Sequence, residues 1–265
     1  MSDQPGLTPR VGLFGKHPAF GDFIGRGVPA ALQAALEAWL TPTLAQLAAA
    51  RGQGFAALYD HAPVLGFWIG AQVLPESGRR PLRGALIPSR DRVGRRFPLV
   101  PVQYPAPPLP PPLAQDDGFH AAIIAAADGL LRHQAVTAGD LLATLPPLPA
   151  TAPAPVPAAG DDEGDLFWAA NPAKPAAALW QAVAATDLQR ASRRRSYWFA
   201  DLRPGQGASA VLACDGLPDA RALDWLMAGV ALPPSAPITP TTDAPGTKAA
   251  APAPLSTAEP AQDDH

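Results

Sequence analysis

Apolar residues recur along this chain at two spacings, and each spacing predicts a different kind of element. Short runs rich in Val, Ile, Phe and Trp, bounded by Gly, Pro or charged residues, are typical of strands. Apolar residues three or four positions apart predict helices with one buried face, as at Leu32, Leu36 and Leu40. These patterns predict strands at 11–14, 64–73, 82–87, 97–104, 196–202 and 208–214, and helices at 29–50, 117–132, 138–145, 171–188 and 219–230.

The order of the predicted strands favours antiparallel pairing. The strands at 64–73, 82–87 and 97–104 follow one another with short connections. Short connections suit hairpins, whereas parallel strands need long crossovers. Pro42 lies inside the first predicted helix and lacks the N–H that a helix interior uses, so a kink or a division is expected there.

The composition separates a core-forming part from proline-rich segments. Of the 265 residues, 48% are hydrophobic and 16% are charged, which is enough for a sizeable core. The 35 prolines are concentrated in a few stretches of low complexity, which do not offset the entropy of ordering. We therefore expect a Pro/Ala/acidic linker at about 146–164 and a disordered Pro/Ala/Thr-rich tail at 232–265, and also a disordered N-terminus at 1–9.

Charge and cysteine content exclude several classes of function. The net charge is -3, which does not suggest a nucleic-acid partner. Cys214 is the single cysteine, so neither an intrachain disulfide nor a cysteine-based zinc site can form. The N-terminus lacks a basic start followed by an apolar run, and no stretch of about 18 apolar residues is present. The expected protein is soluble and cytoplasmic.

Two segments combine turn formers, charged residues and aromatic residues, as ordered functional loops do. They are residues 15–23 (GKHPAFGDF) and 88–99 (PSRDRVGRRFPL). A phosphate-binding P-loop would need a lysine after its second glycine. Here Lys16 follows the first glycine, and Asp22 follows the second, where a carboxylate repels phosphate. The first segment is therefore predicted to be an ordered structural loop, and no cofactor is predicted.

The second segment contains a candidate nucleophile, Ser89. It lacks the G-x-S-x-G elbow, and no nearby histidine stands out as its base. The favoured interpretation is that its hydroxyl caps the following turn. Surface or capping roles, and not metal ligation, are predicted for the five histidines, which are His17, His61, His120, His133 and His265.

The second segment also contains a dense basic cluster, made of Arg90, Arg92, Arg95 and Arg96. One interpretation is contact with an anion or an acidic protein surface. The other, favoured for at least part of the cluster, is ion pairing inside the fold, because carboxylates lie in the same segments. We predict that Asp22 or Asp91 pairs with Arg95 and ties the two segments together.

At these segments the chain resembles the TagF/ImpM family of proteins associated with type VI secretion. The family pattern G-K-x-P-x-x-G-D-F falls on residues 15–23, and P-S-x-D-x-V-G-R-x-F-P falls on residues 88–98. Phe199 stands where the family's S-x-W-W pattern has its last aromatic residue. Further matches are Arg26, Pro29, Trp39, Leu40, Ser196, Trp198 and the segment Gly216–Pro218.

The resemblance covers about residues 10–231 and implies both a fold and a function. The implied fold is an α/β (α+β) single domain with a central, mainly antiparallel sheet and helices on both faces. The function that the resemblance implies is that of a cytoplasmic bacterial repressor of type VI secretion, which binds a forkhead-associated scaffold protein. The alternative is an enzyme using the loops around Lys16/Asp22 and Ser89/Arg95. The candidate contact residues are Lys16, Asp22, Arg26, Ser89, Arg90, Asp91, Arg92, Arg95 and Arg96.

Overall fold

The computed structural model describes residues 10–113, 118–145, 176–201 and 209–228 of the chain. The predicted N-terminal segment at 1–9, the linker at 146–164 and the tail at 232–265 lie outside the described residues. The strands are β1 (Arg10–Gly15), β2 (Ile24–Arg26), β3 (Leu65–Ile69), β4 (Leu82–Leu86), β5 (Leu99–Tyr104), β6 (Arg195–Asp201) and β7 (Ser209–Asp215).

These strands form one seven-stranded sheet in the order β2-β1-β5-β4-β3-β6-β7. Every pair of neighbouring strands in it is antiparallel, which confirms the predicted pairing. The register sets Gly15, the last residue of β1, opposite Leu99, the first residue of β5. Consequently the segment that follows β1 and the segment that precedes β5 leave the sheet at the same end.

The helices cover both faces of this sheet. Helix α1 continues through Pro42, so of the two expected outcomes the division is wrong, and the kink stays a prediction. Pro42 is exposed and has no N–H to donate to the Ala38 carbonyl. The neighbouring Thr43 hydroxyl donates to the Trp39 carbonyl, one residue further along, at 2.7 Å. The helices are α1 (Ala30–Arg51), α2 (Phe55–Asp60), α3 (Gly118–Arg132), α4 (Ala138–Ala143), α5 (Ala176–Ser192) and α6 (Ala220–Ala228).

Successive residues of a strand are buried on opposite faces of the sheet, and this alternation builds two large hydrophobic cores beside a small cluster of Trp68, Ala106 and Tyr197. Phe14 and Val100 lie in the larger core, against α1, α2 and α6. Their neighbours Leu13 and Leu99 lie in the second core, against α3 and α4. The chain is thus a single mixed α/β domain with helices on both faces of an antiparallel sheet, as the resemblance implied. No helix among the described residues is long and apolar enough to cross a membrane.

Candidate functional site

The two motif segments meet at one end of the sheet. We call residues 16–23 and 88–98 the paired loops. The second loop is itself narrow, because isolated bridges join Ile87 to Leu99 and Arg90 to Arg96. Gly15 allows the close approach at the base of the paired loops: its φ is +118°, and a Cβ there would overlap the carbonyl oxygen of Pro98. Only glycine adopts this φ without strain and, because it has no Cβ, fits beside the Pro98 carbonyl.

A buried carboxylate, that of Asp91, organises the paired loops. Its side chain has no solvent exposure and forms one ion pair with Lys16 Nζ at 3.1 Å and another with Arg95 Nε at 2.6 Å. Its Oδ1 accepts the backbone N–H groups of Val93 at 3.1 Å and Arg95 at 2.9 Å. Asp91 therefore fixes both the fold of its own loop and the position of Lys16 in the other.

The pKa of Asp91 depends on two opposing effects, burial and the contacts with Lys16 and Arg95. Burial by itself raises the pKa of the Asp91 carboxyl. The hydrogen bonds from the backbone and guanidinium of Arg95 and the hydrogen bond and charge of Lys16 outweigh that effect, and the pKa lies well below its ordinary value. The carboxylate is thus ionised throughout the physiological pH range.

Three further hydrogen bonds join the two loops directly. The Arg92 backbone N–H donates to the Phe20 carbonyl at 2.7 Å, and Arg95 Nη2 donates to the Gly21 carbonyl at 2.7 Å. Ser89 Oγ donates to the Lys16 carbonyl at 2.8 Å. The prediction that Ser89 caps its own following turn is therefore wrong: its hydroxyl bridges to the other loop, which the strand register brings alongside.

The predicted pairing with Arg95 is confirmed for Asp91. Asp22 is only at the distance limit of an ion pair, 4.0 Å from Arg95, and its side chain is 84% exposed. The contact that most directly ties the two loops by charge, Lys16 to Asp91, was not predicted. The available signal was that Lys16 is the one lysine or arginine between residues 16 and 23.

The remaining arginines have different surroundings. Arg96 forms two short hydrogen bonds, of 2.6 and 2.8 Å, with the carboxylate of Asp60 on α2, and this contact holds the loop against the helix. Arg26 is exposed on β2, opposite Leu13. Arg90 and Arg92 are also exposed, and neither forms an ion pair with any described residue.

Two histidines, His17 and His120, are buried and not at the surface, and each binds a backbone carbonyl, which fits the capping half of the prediction. The Ala19 N–H donates to Nδ1 of His17, so Nε2 carries the proton and donates to the Leu130 carbonyl at 2.9 Å. Burial lowers the pKa of His17; the bond to Leu130 raises it and His133 lowers it, and the result lies below its ordinary value. His120 Nε2 lies 3.0 Å from the Phe67 carbonyl. His17 thereby fastens the first loop to the last turn of α3.

Ser89→Ala is expected to lower the free energy of unfolding by about 1–2 kcal/mol, because the buried Lys16 carbonyl loses its donor. Ser192→Ala is the matched control, since Ser192 is equally buried but its hydroxyl bonds locally to the Gln189 carbonyl. Urea unfolding of both variants measures the difference. Covalent labelling of Ser89 in the folded protein by a fluorophosphonate serine probe would contradict its structural role.

Most polar side chains of the paired loops form hydrogen bonds or ion pairs with other groups of the protein. Asp91 and Ser89, in the second loop, both bind Lys16 in the first loop. The Ser89 hydroxyl donates its proton to a backbone carbonyl, which cannot act as a general base. No cluster of three or more His, Cys, Asp or Glu residues suited to a metal ion is present within the four described ranges. The paired loops present outward the cations Arg90 and Arg92, the carboxylate of Asp22, and two exposed apolar side chains that the sequence analysis did not single out, Phe23 and Val93.

The comparisons with known proteins converge on the part of the chain that carries these loops. The family model described as the TagF N-terminal domain, type VI secretion system-associated, matches residues 12–144, which is half of the chain. The crystal structure of PA0076 from Pseudomonas aeruginosa PAO1 is similar, with 26% sequence identity and a TM-score of 0.61, over 86% of this chain and 100% of that chain. No curated protein matches the chain.

Proposed function

The chain belongs to the TagF family of type VI secretion system-associated proteins, and from that premise we propose that it is a cytoplasmic, post-translational repressor of a bacterial type VI secretion system. In this proposal it binds a forkhead-associated scaffold protein of the system and withholds it from assembly. The protein acts by stoichiometric contact and catalyses no reaction.

The observation that carries this proposal is that the polar residues of the motifs bind other groups of the same protein. A catalytic site needs groups that converge on a space where a substrate can sit. Lys16, Ser89, Asp91 and Arg95 instead contact protein groups, and they hold two loops in one fixed arrangement. A rigid surface loses little entropy when it binds, which favours protein recognition. The alternative of an enzyme working through these four residues has less support, because binding a substrate would require breaking those contacts.

Stoichiometric binding predicts how repression depends on protein level. A protein that sequesters its target acts in proportion to its concentration relative to that target and to the dissociation constant. Secretion of a type VI substrate is therefore expected to fall progressively as this protein is expressed at rising levels, and to recover when the scaffold is supplied in excess. Quantitative immunoblotting of both proteins, together with the secreted substrate, measures the ratio at half repression.

The control is an equal excess of an unrelated cytoplasmic protein in place of the scaffold, which should leave repression intact. Half repression at a ratio near one molecule per scaffold molecule fits the proposal. Complete repression at a small fraction of the scaffold level would instead indicate turnover, and the enzyme alternative would replace this proposal.

A further inference from the structure

The paired loops carry exposed apolar side chains beside their cations. Five large hydrophobic side chains are exposed in the described part of the chain, and two of them belong to these loops: Phe23, at 41%, and Val93, at 69%. The other three, Val136, Trp180 and Val211, lie elsewhere in the fold. Exposed apolar side chains are common singly, but two on one ordered pair of loops are a candidate contact surface.

Phe23 and the backbone of Val93 are both connected to Asp91, Phe23 through Lys16 and Val93 through its N–H. One side of the Phe23 ring meets Phe97 edge-on, with centroids 4.8 Å apart, and Lys16 Nζ lies 5.1 Å from the centroid of the Phe23 ring. That same ammonium pairs with Asp91, whose other oxygen accepts the Val93 N–H. Both side chains are therefore positioned before any partner arrives, and this lowers the entropy lost on binding.

The charge of this surface is opposite to that of the whole chain. Residues 16–23 and 89–96 contain five lysines or arginines and two aspartates, whereas the chain has a net charge of -3. Asp91 is neutralised by Lys16 and Arg95, and Arg96 by Asp60. The other aspartate, Asp22, is exposed and lies 4.0 Å from Arg95, so it offsets one of the exposed cations. Arg90 and Arg92 stay exposed with no ion pair to a described residue, so their charges are available to a partner.

We infer that Phe23, Val93, Arg90 and Arg92 form the contact surface for an acidic segment of a partner protein that carries an apolar anchor. The anchor packs on Phe23 and Val93, and the flanking carboxylates bind the two guanidinium groups. The identity of that partner as the scaffold rests on the proposed function. The acidic and apolar character of the partner segment is inferred only from the side chains exposed on the paired loops.

The first test measures binding of the full chain to the purified forkhead-associated scaffold by calorimetry. The variant is R92E/V93S, because both side chains are exposed and neither forms an ion pair with a described residue, whereas Phe23 packs on Phe97. The matched control is V136S/R221E, an exposed valine and an exposed arginine outside the paired loops. We expect Kd to rise by about 30-fold or more for the first variant and to change less than about twofold for the control.

Equal binding by wild type and R92E/V93S would overturn the inference and leave the proposed function standing. Absence of binding by the wild type would contradict the proposed function, and a second measurement then decides the inference independently. In that measurement, the ¹⁵N-labelled full chain is titrated with a synthetic peptide of Asp and Glu residues around a central Phe-Leu pair. Amide shifts are expected within residues 20–24 and 90–95.

Two control peptides complete the second measurement. Replacing Phe-Leu by Ser-Ser is expected to weaken the shifts, and replacing the acidic residues by Lys is expected to abolish them. The shifts should also shrink as salt is raised, because exposed charges are screened. No shifts with the acidic-apolar peptide, or shifts centred outside the paired loops, would overturn the inference whatever the scaffold experiment showed.

Discussion

Gly15→Ala is expected to destabilise the protein more than a methyl group added to any glycine within the paired loops. Its φ of +118° is unfavourable for a residue with a Cβ, and the new Cβ would overlap the Pro98 carbonyl oxygen and lie 3.2 Å from Leu99 Cα. The obstacles are backbone atoms at the start of the neighbouring strand and cannot rotate away. We expect a loss of about 2–5 kcal/mol in the free energy of unfolding, which is the backbone strain plus the displacement of β1 from β5.

Gly94→Ala is the matched control for this prediction. Gly94 also has a positive φ, +89°, but a Cβ there would meet no atom within 4 Å. Its replacement should cost only the backbone term, about 1–2 kcal/mol. Urea unfolding of the two variants isolates the overlap with Pro98 as the difference between them. Equal losses would show that the end of β1 moves freely and that the close approach at Gly15 is not a constraint.

Asp91→Asn is expected to lower the melting temperature by roughly 10 °C, because the side chain of Lys16 is only 8% exposed and would lose its charged partner. The introduced amide oxygen can still accept the backbone N–H groups of Val93 and Arg95. The amide NH2 would face Lys16 Nζ and Arg95 Nε, which are both donors, so the loss includes these two hydrogen bonds as well as the charge. Adding Lys16→Met should recover part of the stability, since an apolar side chain of similar length replaces the stranded ammonium. Asp128→Asn is the control, because the Asp128–Arg132 pair is exposed on both sides and should matter little.

The same variant has a defined pH dependence. The pKa of Asp91 in the folded protein lies below its ordinary value of 3.8, so the unfolded chain takes up the proton first on acidification. The stabilisation by the Asp91 charge is therefore complete above the ordinary pKa and is lost as the pH falls through the folded-state pKa. The gap in melting temperature between wild type and Asp91→Asn should be constant from about pH 5 to pH 8 and narrow below about pH 4. A gap that widens on acidification would refute the pairing.

The strands of the sheet were predictable because each is encoded by a short, continuous stretch of sequence. Short runs rich in Val, Ile, Phe and Trp located six strands, and short connections indicated antiparallel pairing, which the register confirms. Strand β2 and helix α2 were missed. Each is only three to six residues long, and neither completes enough periods for its pattern to stand out from loop sequence.

The candidate site was predictable only within each segment. Asp91 and Arg95 are four residues apart in one motif, and this proximity made Asp91 one of the two predicted partners of Arg95, with Asp22 as the other. The pair of Lys16 with Asp91 and the bond from Ser89 to Lys16 join positions 73 or more residues apart, and they depend on the register between β1 and β5. The burial of His17 depends on the docking of α3, which no spacing around a lone histidine reveals.

The strand order has a consequence for the chain as it emerges from the ribosome. Strand β3 is an interior strand of the finished sheet, but one of its two neighbours is β6, which lies more than 120 residues later. Until residues 195–201 are synthesised, β3 is an open edge, and the core positions later filled by Trp198, Leu223 and Leu226 are empty. At the pace of translation this interval lasts seconds, during which the nascent chain exposes a row of unpaired backbone groups and needs protection from other unfinished chains.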